Sequence, residues 1–180
     1  MGQALDLRAE RSGEETVVRD VVTRAFGGER VGGLLDALRE SDAWLGLSFV
    51  AERGGQVVAH LSLTESLLDS PRQLVRVLVL SPVSVVPELQ RQGIGSALVS
   101  YALEQLSSRP GPLVFLEGSP AYYRRFGFVP GSDLGFRRPS LRIPEPAFQV
   151  ILLPAYEEWM TGTLVYSRVF WDHDCVGLRD

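Results

Sequence analysis

The chain has 180 residues, enough for one compact domain with a full core and short for two. Apolar residues make up 45% and charged residues 22%, which excludes a disordered chain, and the single cysteine, Cys175, excludes an intrachain disulfide or a thiolate zinc cage. The formal net charge is −4 with no cluster of Lys and Arg, so no basic footprint for general nucleic-acid binding is present. No apolar run is long enough to cross a bilayer, and residues 1–10 have neither a basic n-region nor an apolar h-region. A cytoplasmic protein without a membrane partner is expected.

In chain order, residues 5–9 alternate apolar and polar and predict an edge strand. Ser12 and Glu15 fit a capping box for a first helix, which carries Val17, Val18, Val21, Val22, Ala25 and Phe26 and stops at Gly27-Gly28. A second helix places Val31, Leu34, Leu35 and Leu38 on one face; nothing in either helix points to chemistry. Residues 47–52 and 56–64 predict two strands joined by a hairpin at Arg53-Gly54-Gly55. Residues 74–86 are dense in Val and Leu and predict a central strand, with a bulge or break at Pro82.

Residues 93–107 predict the longest helix, with Ile94, Ala97, Leu98, Tyr101 and Ala102 as its buried stripe, ended by Pro110-Gly111-Pro112. A buried strand is expected at 113–116, a short helix at 121–125, and a strand at 126–129. Residues 131–146 read as irregular, and strands are expected at 148–153 and 164–170. No repeat or linker interrupts this series, so residues 1–180 are expected to form one domain.

The stretch that carries chemistry is Val83-Ser84-Val85-Val86-Pro87, then Glu88-Leu89-Gln90-Arg91-Gln92-Gly93-Ile94-Gly95-Ser96. A buried strand ends at a proline, a polar turn follows, and two glycines open a helix. Unpaired N–H groups and the positive end of the dipole make such a turn an anion site. A P-loop is excluded because Gly95-Ser96-Ala97 has no lysine, and the dinucleotide fingerprint fails at Leu98.

What remains is Gln/Arg-x-x-Gly-x-Gly/Ala, here Gln90-Arg91-Gln92-Gly93-Ile94-Gly95 after Val85-Val86-Pro87. A second element, Tyr122-Tyr123-Arg124-Arg125-Phe126-Gly127-Phe128, follows the next strand. Together they resemble the GNAT N-acetyltransferase superfamily, and with Gly118-Ser119-Pro120 its YhbS-like branch of bacterial acetyltransferases. The resemblance implies an α/β (α+β) fold, a mixed, twisted central sheet flanked by helices and split beside its central strand. It implies acetyl-CoA as cosubstrate, no metal, and transfer of the acetyl group to a primary amine by direct attack on the thioester. The expected acceptor is a small molecule. Alternatives are a protein N-terminus or lysine, or a non-catalytic acyl-CoA sensor. A homodimer is compatible with the family.

By the same resemblance, the backbone at Val83 and Val85 would face the acyl arm. Gln90, Arg91, Gln92, Gly93, Ile94, Gly95 and Ser96 would hold the pyrophosphate. Tyr123 would contact the cofactor and protonate the departing thiolate. Ser119-Pro120 stands where the family commonly has a cofactor-contacting asparagine, and Arg124 and Arg125 are candidates for a phosphate. The base is unassigned. Many members carry a glutamate on the central strand, which here offers only Ser81 and Ser84, while Glu65, Glu117 and His60 lie elsewhere. His60 fits a core histidine better than an acceptor-facing one, and His173, between Asp172 and Asp174, fits a solvated tail better than a metal site.

Overall fold

A computed structural model describes residues 4–109 and 111–177 of the chain. The elements run β1 (Leu5–Ala9), α1 (Glu15–Phe26), α2 (Glu29–Arg39), β2 (Trp44–Arg53), β3 (Gln56–Asp69), β4 (Leu74–Val85) and α3 (Ile94–Leu106). Then follow β5 (Leu113–Glu117), α4 (Pro120–Tyr123), β6 (Val129–Pro130), β7 (Phe136–Arg137), β8 (Phe148–Leu152), β9 (Gly162–Val165) and α5 (Arg168–Asp172). They form the expected mixed sheet, in the order β1-β2-β3-β4-β5-β8-β6, with β9 pairing the far end of β3 and also β7. Among the described residues no helix is long and apolar enough to cross a membrane.

Alternation along the strands divides the core between two faces. Phe49, Ala51, Leu61, Leu63 and Leu80 pack with Leu98, Val99 and Ala102 of α3. On the opposite face Val75, Val77, Val79, Phe115 and Phe148 pack with Leu34 and Leu38 of α2. Phe115 and Phe148 stack there with centroids 5.5 Å apart and planes 6° from parallel. The same face carries a buried polar row of Ser48, His60, Ser62, Thr64, Ser66 and Ser84.

The hairpin turn is as expected, with Gly54 at φ 60° and Gly55 at φ 77°. Pro82 marks a bulge: Leu61 pairs with Val83 and Leu63 with Leu80, so Ser62 alone opposes Ser81 and Pro82. The bulge sits where β4 loses its other neighbour. Parallel pairing with β5 is confined to Leu78 with Val114 and Val79 with Phe115. Beyond it β5 continues only with β8, and a split opens.

Three local expectations are corrected, and one lies outside the described residues. Ser12 does not cap α1; the helix begins at Glu15, Gly13 lies at φ 91°, and no side chain caps it. Glu14 is instead drawn back onto Arg8, at 2.6 Å, and the Arg11 N–H, at 2.7 Å. The strand expected at 126–129 shrinks to Val129–Pro130, because Phe126 belongs to a 3-10 turn closed by Gly127 at φ 94°. The strand expected at 164–170 ends at Val165, where Ser167 turns the chain into α5. Pro110 lies outside the described residues, so its part in ending α3 is not described.

Candidate active site

Two parts of the chain converge on the split. The first is the entry to α3. A 3-10 turn at Pro87–Leu89 leads to Gln90, and the chain then reverses through Arg91 at φ 60° and Gly93 at φ 85°. The first ladder bond of α3 runs from the Ala97 N–H to the Gly93 carbonyl at 3.0 Å. The N–H groups of the preceding turn therefore stand outside the ladder, at the positive end of the helix.

Side chains brace this turn from behind. The Gln90 amide donates to the Val85 carbonyl at 3.0 Å, and the Gln92 amide donates to the Glu88 carbonyl at 3.2 Å. Glu88 is paired with Arg24 at 2.9 Å. Both glutamines thus spend their amide N–H groups on the loop, Gln92 also accepting from Arg53 at 3.4 Å, which leaves the backbone of the turn open. A Cβ built on Gly93 would meet nothing within 4 Å, so open space lies in front of that position. A Cβ on Gly95 would come within 3.1 Å of the Tyr122 hydroxyl and 3.4 Å of Val85. That glycine lets α3 close against both.

The second part is the turn after β5. Pro120 opens α4 behind an extended Ser119, and the two tyrosines then point different ways. Tyr122 lies toward α3, its hydroxyl 3.4 Å from the Ser96 Oγ. Arg125 stacks over the Tyr122 ring at 4.8 Å and donates to its carbonyl at 2.9 Å, so that guanidinium is already engaged. Arg124 is exposed. Tyr123 meets Tyr122 edge-on at 4.8 Å and lies so close over Gly118 that a Cβ there would be 2.4 Å from its ring. Burial, reinforced by Tyr122, raises the Tyr123 hydroxyl well above a phenol's usual range. It stays an O–H donor at any ordinary pH.

Tyr123 and Val83 share a cavity of about 740 Å³ on the far side of the split from the α3 turn. Its walls come from five separate stretches: the α1–α2 junction, the β4 bulge, the end of β5 with Gly118, Tyr166 with Phe170, and residues near 175. The α1–α2 junction, where no chemistry was expected, thus forms a wall of the site, as does Cys175, whose thiol donates to the His173 carbonyl at 3.3 Å. Tyr166 carries no sequence signal beyond being an aromatic near a strand end. Glu117 had one, a carboxylate closing a run of buried apolar residues.

Glu117 faces this cavity, receiving the Tyr166 O–H at 2.8 Å and the Gly177 N–H at 3.1 Å. Burial raises its pKa above the usual carboxylate value, and those two donors hold it down in part. His60 is a core histidine. It is fully buried, its Nε2 lies 2.8 Å from Ser48 Oγ, and burial with nearby Arg39 depresses its pKa to about 3. Glu65 pairs with Arg76 at 3.3 Å and does not line the cavity. Among the described residues no group of three or more His, Cys, Asp and Glu is placed to hold a metal ion.

The chain resembles proteins of known family in both sequence and fold. A curated relative from Escherichia coli strain K12, the uncharacterized N-acetyltransferase YjhQ, is 34% identical over 130 residues, 71% of each chain. The crystal structure of the GNAT family N-acetyltransferase YhbS from Escherichia coli in complex with CoA superposes with a TM-score of 0.83 at 25% identity, over 94% of this chain and 93% of that one. A GNAT family acetyltransferase from Brucella melitensis in complex with acetyl-CoA gives 0.72 at 29% identity, over 93% and 99%. The acetyltransferase (GNAT) domain model matches residues 6–131, and the chain belongs to this family of N-acetyltransferases.

Proposed function

We propose that this N-acetyltransferase uses acetyl-CoA to acetylate the primary amine of a small molecule, with residues 1–180 acting as one catalytic domain. The observation that carries the reading is the junction of a backbone-lined helix entry and a walled cavity across one split. The two relatives solved with CoA and acetyl-CoA support the choice of cosubstrate.

The residues present suit a CoA pyrophosphate. From Arg91 to Ser96 every residue but Ile94 is exposed or half-buried, the helix-start N–H groups lie outside the ladder, and Gly93 leaves space before them. Gln90 and Gln92 contribute by bracing that turn, and Ile94, buried, anchors it to the core. Val83 and Val85 lie on the stretch of β4 with no strand partner on its β5 side, where an extended amide-bearing arm can pair. The acetyl thioester supplies an already activated carbonyl, so the protein contributes position and polar donors. Tyr123 is the proton donor to the thiolate that leaves.

A small acceptor fits better than a protein lysine, because the cavity is walled by five stretches, including residues near the C-terminus. The test is turnover. Wild-type protein, acetyl-CoA and a library of small amines should yield free thiol together with an amine heavier by one acetyl group. Thiol release with no acetylated amine would mean hydrolysis and contradict the reading; acetyl-CoA binding with no turnover would contradict it in favour of a sensor.

A further inference from the structure

Among the described residues the carboxylate of Glu117 has no counter-charge in contact with it. Both of its bonded partners, the Tyr166 hydroxyl and the Gly177 N–H, are neutral donors, and among the described residues no ion pair includes it. A mostly buried carboxylate held only by neutral donors is electrostatically incomplete, and a cation entering the cavity would complete it. The other charged groups on the cavity wall do not fill the role. Glu29 is turned to Arg19 at 2.7 Å and Asp174 to Arg142 at 3.4 Å, and among the described residues Arg30, which is exposed, is the one cation on the wall. Phe26, Tyr123 and Phe170 supply apolar surface beside the carboxylate.

We propose that Glu117 is the acceptor-binding carboxylate and the base, and that the acceptor is a monoamine on an uncharged apolar body, entering as its ammonium. This rests on the acetyltransferase reading above. Glu117 takes one proton from the ammonium and passes it to solvent. The freed nitrogen lone pair forms the C–N bond, and the C–S bond breaks with its electron pair leaving on sulfur. The Tyr123 O–H protonates that sulfur, and the second nitrogen proton returns to the Tyr123 oxygen. An amino acid would bring its own carboxylate against the charge of Glu117, and Arg30, exposed to solvent, offers no buried cation to receive it, so an amino acid is disfavoured.

The titrating groups that line the cavity with Glu117 are Glu29 and Arg30 of α2, Tyr123 of α4, Tyr166, Asp174 and the Cys175 thiol, which would shape a basic limb and not the acid one. Neither tyrosine ionises in the working range, since burial raises both hydroxyls. The acid limb of kcat/KM is therefore assigned to Glu117, and it lies above the ordinary carboxylate range.

The probes are phenethylamine, benzylamine and hexylamine, with phenylalanine as the amino-acid counterpart. Wild type should favour phenethylamine over phenylalanine by at least about 100-fold in kcat/KM. E117Q should lower kcat/KM for phenethylamine by about 10²-fold or more and erase the acid limb, with acetyl-CoA affinity unchanged by calorimetry. Y166F keeps the carboxylate but removes a donor that holds its pKa down, so the acid limb should move up. A merely structural Glu117 would not produce that movement. If E117Q melts early, the Y166F profile decides, and an unmoved limb overturns the proposal. Unchanged kcat/KM in a folded E117Q, equal use of phenylalanine, or no turnover of any of the three monoamines overturns it as well. Failure of wild type to bind acetyl-CoA would instead remove the acetyltransferase reading beneath it.

Discussion

The α3 entry and the cavity proposed for the acceptor lie at one split, yet they are built on opposite principles. The entry, from Val83 to Ser96, is a single run of chain that presents backbone N–H groups and uses its polar side chains to brace itself. The cavity is assembled from five distant stretches and presents side chains, with three carboxylates and four aromatic residues among them. Backbone recognition suits a ligand that is the same for every member of a family, because it needs only a turn of fixed shape. Side-chain recognition suits an acceptor that differs from member to member, because each wall can vary alone. The two parts meet at Tyr122 and Tyr123, one turned to each.

That division can be broken by variants at the meeting point. Tyr123→Phe removes the donor while keeping the ring over Gly118; kcat should fall by about 10²-fold with acetyl-CoA affinity unchanged. A loss of cofactor affinity equal to the loss of kcat would show that the tyrosine belongs to the cofactor side.

His60 belongs to neither part, and its titration tests this. Its folded pKa is about 3, below the 6.5 of an unperturbed histidine, so the unfolded chain binds the proton first as pH falls. Stability from this group is complete above about pH 6.5 and is lost as pH drops toward 3, by roughly 2 kcal/mol at pH 5. Urea melts at pH 7 and pH 5 should show that loss in wild type and not in His60→Leu. Equal losses in both proteins would mean that His60 is not the group responsible.

The smallest expected effect comes from Gly118→Ala. The new Cβ would meet the Tyr123 ring at 2.4 Å, so the ring must shift, and kcat should drop about tenfold with little change in melting temperature. Full activity would mean that the ring's present position is not the working one.

The same division explains what could be read from the letters. Periodicity placed the main helices, and alternation with Gly54-Gly55 placed the hairpin, because neighbours in sequence determine both. Pro82 announced its bulge because a proline lacks the N–H a ladder needs. The α3 entry was legible for the same local reason. Ser12 misled because Arg8, also paired with Glu52 at 2.6 Å, and the Arg11 N–H hold Glu14, which takes the N-cap position and starts the helix two residues later than a Ser12–Glu15 box requires. The cavity was hidden because its walls lie up to 150 residues apart, and only folding brings Phe26 near Val176's neighbour Cys175. Tyr166 was unreadable for want of its partner: alone it is one aromatic among many, and only its bond to Glu117 gives it a place.

The central claim is that the turn from Arg91 to Ser96 holds the cosubstrate by its backbone, independently of the acceptor side. Isothermal titration with acetyl-CoA tests it most directly, run on wild type, Gly93→Glu, Gly93→Ala and Glu117→Gln. Gly93 sits at φ 85°, so the alanine variant measures backbone strain alone, and glutamate adds bulk and negative charge at the helix start. Saturable binding is expected in wild type and Glu117→Gln, modestly weaker in Gly93→Ala, and weaker by at least about 100-fold in Gly93→Glu. Binding by a folded Gly93→Glu protein as tight as wild type would place the pyrophosphate elsewhere and contradict the claim.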